Sequence, residues 1–210
     1  MVLFQSFEFS DLHVCILSSC VFLYLIELAH ILWGITGSGD KLAEIINEMN
    51  YLKDIDGIKI SVVISRAGEQ VLRLYNLWNC LHKSFPKAVI ETNSNVPFIA
   101  GPLQIGKYDL LVVAPLTANS TAKIAHGIAD TLITNAVAQT LKGKTPVLLY
   151  PVDQSKAPVE TIGPDGVKFS ITPRIIDLDN VERLRIMDRV HILSSHLLLR
   201  DQVQSLLNMT

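Results

Sequence analysis

The chain has 210 residues, a net charge of −2 and an isoelectric point near 6.3. That length suits one α/β domain with a sizeable core plus small additions, and the absence of a basic tract argues against nucleic acid as a partner. Its three cysteines, Cys15, Cys20 and Cys80, form neither a disulfide framework nor a metal-type CxxC set, so the body reads as reduced and cytoplasmic.

Residues 1–28 differ from the rest. The apolar run "VCILSSCVFLYLI", Val14 to Ile26, is shorter than the roughly 20 residues a membrane span needs, and no positive region precedes it as in a signal peptide. It reads as a tether, a packed extra helix, or translated upstream sequence absent from the mature protein. The last is favoured, because the first strand needs only "AHILWGITG" and an alternative start codon at Leu28 suffices. Residues 29–210 then form a single domain.

"HILWGIT" has the branched and aromatic content of a buried strand. "DKLAEIINEMNYL" follows with Leu42, Ile45, Ile46, Met49 and Leu52 at helical spacing. "GIKISVVIS" predicts a second strand ending at Ser65. "EQVLRLYNLWNCLHKSF" predicts one helix, stopped at Pro86. "KAVIET" is a short extended piece before the polar loop "NSNVPF". "KYDLLVVAP" is the continuous apolar run of a strand buried on both faces. "NSTAKIAHGIADTLITNAVAQTLKG" predicts helix, a break near Gly127, and helix again. "TPVLLYP" is another buried strand. The turn-rich 151–174 predicts a hairpin about "PDG". "DNVERLRIMDRV" predicts a helix capped by Asp179 or Asn180, with Glu182 in its first turn.

This alternation predicts an α/β fold: a Rossmann-like (flavodoxin-like) three-layer sandwich with a mostly parallel sheet. Ligands in such sheets sit at the carboxyl ends of the strands, where strand order reverses. Three polar turns fall at strand ends, at 36–40, 65–68 and 115–121.

The first turn, "GITGSGDKL", tests a dinucleotide reading and fails it. Gly37-Ser38-Gly39 begins the G-x-G-x-x-G pattern, but Leu42 stands at the third glycine and the second strand ends in Ser65-Arg66 rather than an acid. The remaining chemistry suits a monophosphate. Gly37 and Gly39 allow close backbone approach, Ser38 and Ser65 offer hydroxyls, and helix-start N–H groups face the anion. Asp40 suits the helix dipole but would repel a phosphate, so it is expected to point away. The bland alternative is a tight strand-to-helix turn with no ligand.

"APLTANSTAKIAHGIADTLIT", Ala114 to Thr134, is more specific. Pro115 closes the strand, and Thr117 and Asn119 place a hydroxyl and an amide at its end. Backbone groups around Leu116 and Ala118 are expected to be free to meet a flat heterocycle such as a flavin. This segment resembles the "PASANT" segment and following helix of the homo-oligomeric flavin-containing cysteine decarboxylase superfamily. The likeness runs from "WGITGSGDKL" through "DNVERLRIM" and is strongest to the archaeoflavoprotein group, with the dihydromethanopterin reductases nearby. The resemblance implies FMN bound noncovalently in a homo-oligomer, a trimer or a multiple of trimers, with the flavin near a subunit interface. Carried over, Gly37, Ser38, Gly39 and Ser65 match the phosphate turns. Pro115, Leu116, Thr117, Ala118 and Asn119 match the ring-binding segment, with Ser120 replacing its usual threonine.

The departures narrow the activity. Counting back from Asp109 to where the decarboxylases carry their histidine gives Gly101, and 151–180 holds no Met-Asn clamp. "LKGKTP" replaces the "LKERR" of the flavin prenyltransferases. No catalytic residue is therefore assigned. The expected role is electron transfer or flavin-dependent reduction, fed by a ferredoxin-like carrier. The alternatives are dihydropterin reduction at the flavin and a non-catalytic flavin-binding subunit.

The remaining candidates are weaker. The six histidines are scattered, without metal-ligand spacing. His126 lies beside the flavin segment, Lys123 either neutralises a reduced flavin or faces solvent, and Trp33 and Trp78 are expected in the core or at a subunit contact. The loop 92–98 either reaches a neighbouring subunit's flavin or is plain surface.

Overall fold

The computed structural model describes residues 28–208; the apolar run Val14–Ile26, Cys15 and Cys20 lie outside them. The chain builds β1 (Ala29–Ile35), α1 (Leu42–Lys53), β2 (Ile58–Ile64), α2 (Arg66–Leu74), α3 (Trp78–Ser84), β3 (Val89–Ile90), α4 (Ala100–Gln104) and β4 (Leu110–Leu116). It continues through α5 (Ala118–Ala125), α6 (Leu132–Thr140), β5 (Val147–Pro151), β6 (Val159–Ile162), β7 (Lys168–Ile171), α7 (Ile175–Arg185), β8 (Val190–Ile192) and α8 (Leu199–Leu207).

The main sheet has six strands in the order β3-β2-β1-β4-β5-β8, and every pairing is parallel. Setting aside the two-residue β3 leaves the flavodoxin-like order, with the reversal between β1 and β4. Alternation along β1 sends Ile31, Trp33 and Ile35 to one face and Leu32 to the other. The first face packs on α1 through Leu42, Ile45, Ile46, Met49 and Leu52, and on α8 through Leu199, Val203 and Leu206. The second packs on α6 through Leu132, Ile133, Ala136 and Val137, with Leu103 and Leu184 beside them. β4 is buried along its whole length, as its apolar run predicts. The result is the expected three-layer sandwich.

β6 and β7 form the expected hairpin, a separate antiparallel pair. The helical segment after β4 breaks as expected: α5 ends at Ala125, Gly127 takes φ 71, and Thr131 caps α6.

Three expectations need correction. The single helix over 69–85 is two, because Asn76 adopts φ 58, a left-handed conformation that asparagine tolerates better than most residues. The start of α7 is Ile175 after Arg174, not Asp179 or Asn180. The Asp177 carboxylate accepts from the Arg174 N–H at 3.0 Å and from its guanidinium at 2.7–2.9 Å, fixing the first turn earlier. Finally, α4, β8 and α8 were not foreseen. Among the described residues no helix is long and apolar enough to cross a membrane.

Candidate functional site

The helices that follow β1 and β2 cover one face of the sheet, and those that follow β3, β4 and β5 cover the other. The loops leaving β1 and β4 therefore diverge, and a cleft opens between them. Thr36 joins the two loops. Its hydroxyl donates to the Pro115 carbonyl at 2.7 Å and accepts from the Thr117 N–H at 2.9 Å, while its own N–H reaches the same carbonyl at 3.3 Å. Thr36 is 1 % exposed, so this joint is shielded from water.

Two chambers open from this joint. The larger, about 630 Å³, is lined by Gly37, Ser65, Arg66, Thr117, Asn119 and residues of the 91–94 and 130–133 segments. The smaller, about 370 Å³, is lined by Gly37–Asp40, Tyr75, Thr117–Asn119, Asp153 and the β6–β7 hairpin. Both sizes lie within the range of small-molecule sites, roughly 300–1,000 Å³. Gly37, Thr117 and Asn119 border both, so the chambers form one continuous cleft.

The hydroxyls here are pre-oriented. Ser65 caps α2, accepting from the Gly68 N–H at 2.9 Å. Thr117 caps α5, accepting from the Ser120 N–H at 3.2 Å. The Ser65 hydroxyl is left with a proton to donate into the cleft. Ser38 instead bends locally, its oxygen taking the Asp40 N–H at 3.3 Å. Among the described residues, the N–H groups of Gly37, Gly39 and Asn119 have no hydrogen-bond acceptor. Neither glycine has room for a side chain, because Ala67 and Tyr75 occupy that space.

The ring segment requires a correction. Pro115 and Leu116 are buried and line neither chamber. Their carbonyls are already taken, Pro115 by Thr36 and Leu116 by the Val152 N–H at 3.1 Å. The expected free backbone around Leu116 is thus used to hold β4 against its neighbours. Thr117, Ala118 and Asn119 provide the surface of this segment that faces the cleft.

Asp40 also departs from expectation, since it lines the smaller chamber instead of turning away. Burial pushes its carboxyl above the usual range, with Lys41 opposing the shift. Asp153, just past β5, is a site residue that sequence reasoning missed. Burial raises its carboxyl, the Asp177 and Asp40 carboxylates raise it further, and Arg174 and the Ala118 N–H act against them. Its position at a strand's carboxyl end was the signal available in "YPVD". Glu91 was also missed. Its two oxygens accept from the Leu132 N–H at 2.8 Å and the Arg66 N–H at 3.2 Å, joining the starts of α6 and α2 at the wall of the larger chamber.

The weaker candidates resolve as follows. Lys123 is paired with Asp130 at 2.8 Å and lines neither chamber, so it is not a free counter-charge for a flavin. His126 lines neither chamber and meets Arg183 at 3.5 Å. Trp33 is a core residue whose indole donates to the Ala114 carbonyl at 2.9 Å. Trp78 stacks on His82 and under the Arg73 guanidinium, away from the cleft. Asn93 and Ser94 line the larger chamber, and Asn135 holds that loop by donating to the Ser94 carbonyl at 2.8 Å. Among the described residues no three His, Cys, Asp or Glu side chains gather to hold a metal ion.

With this geometry in place, the family profile described as flavoprotein matches residues 25–204. The chain belongs to the flavoprotein family. Within it, an uncharacterised protein of Methanocaldococcus jannaschii is 49 % identical over 163 residues, covering 78 % of this chain and 88 % of that protein. A dihydromethanopterin reductase (acceptor) of the same organism is 39 % identical over 140 residues, covering 62 % of this chain. The chain spans only 56 % of that reductase's length. Among solved flavoprotein structures, DmrB of Burkholderia xenovorans in complex with FMN, described as a cubic protein cage for redox transfer, superposes with a TM-score of 0.74. It shares 33 % identity over 87 % of this chain and 97 % of its own.

Proposed function

We propose that the chain binds FMN noncovalently across the Gly37 and Thr117 turns and uses it for electron transfer or flavin-dependent reduction. The observation that carries this reading is the Thr36 joint, which brings both turns to one cleft. The residues present suit the cofactor. Ser65 and the Gly37 and Gly39 N–H groups supply donors for a phosphate. Thr117, Ala118 and Asn119 supply a polar edge for the ring, and Val159, Phe169 and Ile171 an apolar wall. When bound, FMN supplies the one- and two-electron chemistry that no side chain has. The chain's own residues fix its position and limit access of water.

DmrB, the FMN-bound relative, supports a redox role in a homo-oligomer, here a trimer or a multiple of trimers acting in the cytoplasm. A ferredoxin-like carrier is the electron donor in this reading. A second reading, dihydropterin reduction at the flavin, draws on the likeness to the dihydromethanopterin reductases. Cysteine decarboxylation is set aside, because Gly101 stands where the decarboxylases carry their histidine and 151–180 holds no Met-Asn clamp.

Purified protein should be yellow, release FMN on denaturation, and be reduced by a ferredoxin system under anaerobic conditions. A colourless protein that ignores added FMN would overturn the proposal.

A further inference from the structure

β2 is paired along its whole length on one side only. β1 covers it from Ile58 to Ile64, whereas β3 reaches only Val63 and Ile64. On that outer side the Glu91 N–H bonds the Ile64 carbonyl, and on the inner side the Ser65 N–H bonds the Ile35 carbonyl at 3.0 Å. Successive residues of a strand between two neighbours turn their backbone groups to opposite sides, so Ile60 points outward with Ile64. Among the described residues no strand meets Ile60 there. An open edge of this kind is a template for a further strand, and folded proteins cover it or guard it.

A groove of about 410 Å³ runs along this edge, between β2 and the 84–88 segment, at the end of β2 remote from Ser65 and the cleft. Leu28, Ile60, Val62 and Phe85 supply its apolar surface. Its charged groups are Lys53, Lys59 and Lys87, and no acidic residue lines it. None of these lysines forms a salt bridge among the described residues; Lys53 stands 5.7 Å from the centre of the Phe85 ring. Leu28 is 59 % exposed, so it marks an open end of the groove rather than a filled one. The next residue, Ala29, pairs with Ile58 at the start of β2, so the chain preceding Leu28 reaches the groove at that end.

We infer that part of the run Val14–Ile26 occupies this groove as an added strand, antiparallel to β2, and bonds the outward groups of Ile60. Three features of residues 1–27 fit it to the groove. Five residues spanning Ile58–Val62 cover about 17 Å at the usual rise, and the thirteen-residue run supplies that length with residues to spare for the turn into Leu28. The run is apolar, as the groove surface is. Residues 1–27 contain Glu8, Asp11 and Glu27 but no lysine or arginine, which complements the three lysines. Of the three readings of residues 1–28, this selects the packed one, with a strand in place of a helix. Main-chain bonds to the edge then hold the segment, and the groove takes alternate side chains.

The test is amide exchange on the intact 210-residue chain, its mass verified, read residue by residue by NMR. The Ile60 amide should exchange at least about a hundredfold more slowly than an unstructured amide, as a bonded sheet amide does. Neighbouring residues of a strand face opposite ways, so of Leu23→Asp and Tyr24→Asp one puts a carboxylate against the apolar groove and the other puts it into solvent. One variant should therefore raise Ile60 exchange about tenfold, the loss of roughly one hydrogen bond, and the other leave it unchanged. The Ser65 amide, bonded to β1, should stay protected in both. Glu27→Lys should raise Ile60 exchange severalfold, because it sets a fourth positive charge beside the three. An unprotected Ile60 amide in the wild type, or an equal response to Leu23→Asp and Tyr24→Asp, would overturn the assignment. Protection that grows with protein concentration would give the edge to a second copy of the chain and overturn it likewise.

Discussion

The Ala67 methyl fills the space that a side chain on Gly37 would need: a Cβ built on Gly37 lies 2.6 Å from it and 3.1 Å from the Ala67 carbonyl carbon. Gly39 meets a different obstacle, the Tyr75 ring at 2.3 Å. The first obstacle is a methyl fixed to helix backbone at the start of α2. The second is the far end of a side chain that can rotate. Gly37→Ala should therefore destabilise the fold by roughly 1–3 kcal/mol through overpacking, and Gly39→Ala by less. Gly39→Ala should instead swing Tyr75 away and release its hydrogen bond to the hairpin at Ile162. Chemical denaturation of both variants, with proteolysis of the hairpin as a second readout, checks the contrast.

Thr36 gives a sharper prediction about the cleft. Valine has nearly the same shape but lacks the hydroxyl that serves the Pro115 carbonyl and the Thr117 N–H. Thr36→Val should cost about 1–3 kcal/mol, the typical penalty for leaving a buried polar group unsatisfied. Because the tie between the two turns is then reduced to the Thr36 N–H bond to the Pro115 carbonyl, FMN affinity should fall with it, while Thr36→Ser should retain most of both. Flavin fluorescence titration against each variant measures the effect.

Glu91 ties the larger chamber in a comparable way. One carboxylate serves the first N–H groups of two helices, so it satisfies two helix-end donors and complements two dipoles. Glu91→Ala should destabilise the protein by about 1–3 kcal/mol and speed amide exchange at Leu132 more than at Arg66, because the Leu132 bond is the shorter. Hydrogen exchange by NMR would show this, and equal protection in the variant and the wild type would refute it.

The sheet was legible in the sequence because its strands are buried on both faces. "KYDLLVVAP" and "TPVLLYP" carry the continuous apolar runs that this burial demands, and the polar turns at 36–40, 65–68 and 115–121 fall where strand ends had to be. The helix break at Asn76 was not legible, since a single left-handed asparagine interrupts an otherwise helical pattern without glycine or proline to mark it. β8 was missed because three residues, Val190–Ile192, are too few to show a period. The roles of Thr36, Glu91 and Asp153 depend on partners 25 to 81 residues away or on loops brought together by the strand-order reversal. Local pattern carries no trace of such pairings. The Leu116 expectation erred for the same reason: whether a carbonyl is free depends on the neighbouring strand.

Stability should respond to pH in opposite senses at two neighbouring aspartates. Asp177 is held below the usual carboxyl range, chiefly by its hydrogen bond to Arg174. A depressed folded value means that its stabilisation is present above the ordinary 3.8 and is lost as pH falls through the folded value. Asp177→Asn should therefore lower Tm at pH 7 and have little effect at pH 2. Asp153 is raised, chiefly by burial, so the sign reverses. Its contribution is fully present below 3.8 and is lost as pH rises through the folded value, where the buried carboxyl must ionise. Asp153→Asn should accordingly raise Tm at pH 8 and leave it unchanged at pH 3. Thermal melts of both variants at three pH values test this, and a loss of stability for Asp153→Asn at pH 8 would contradict it.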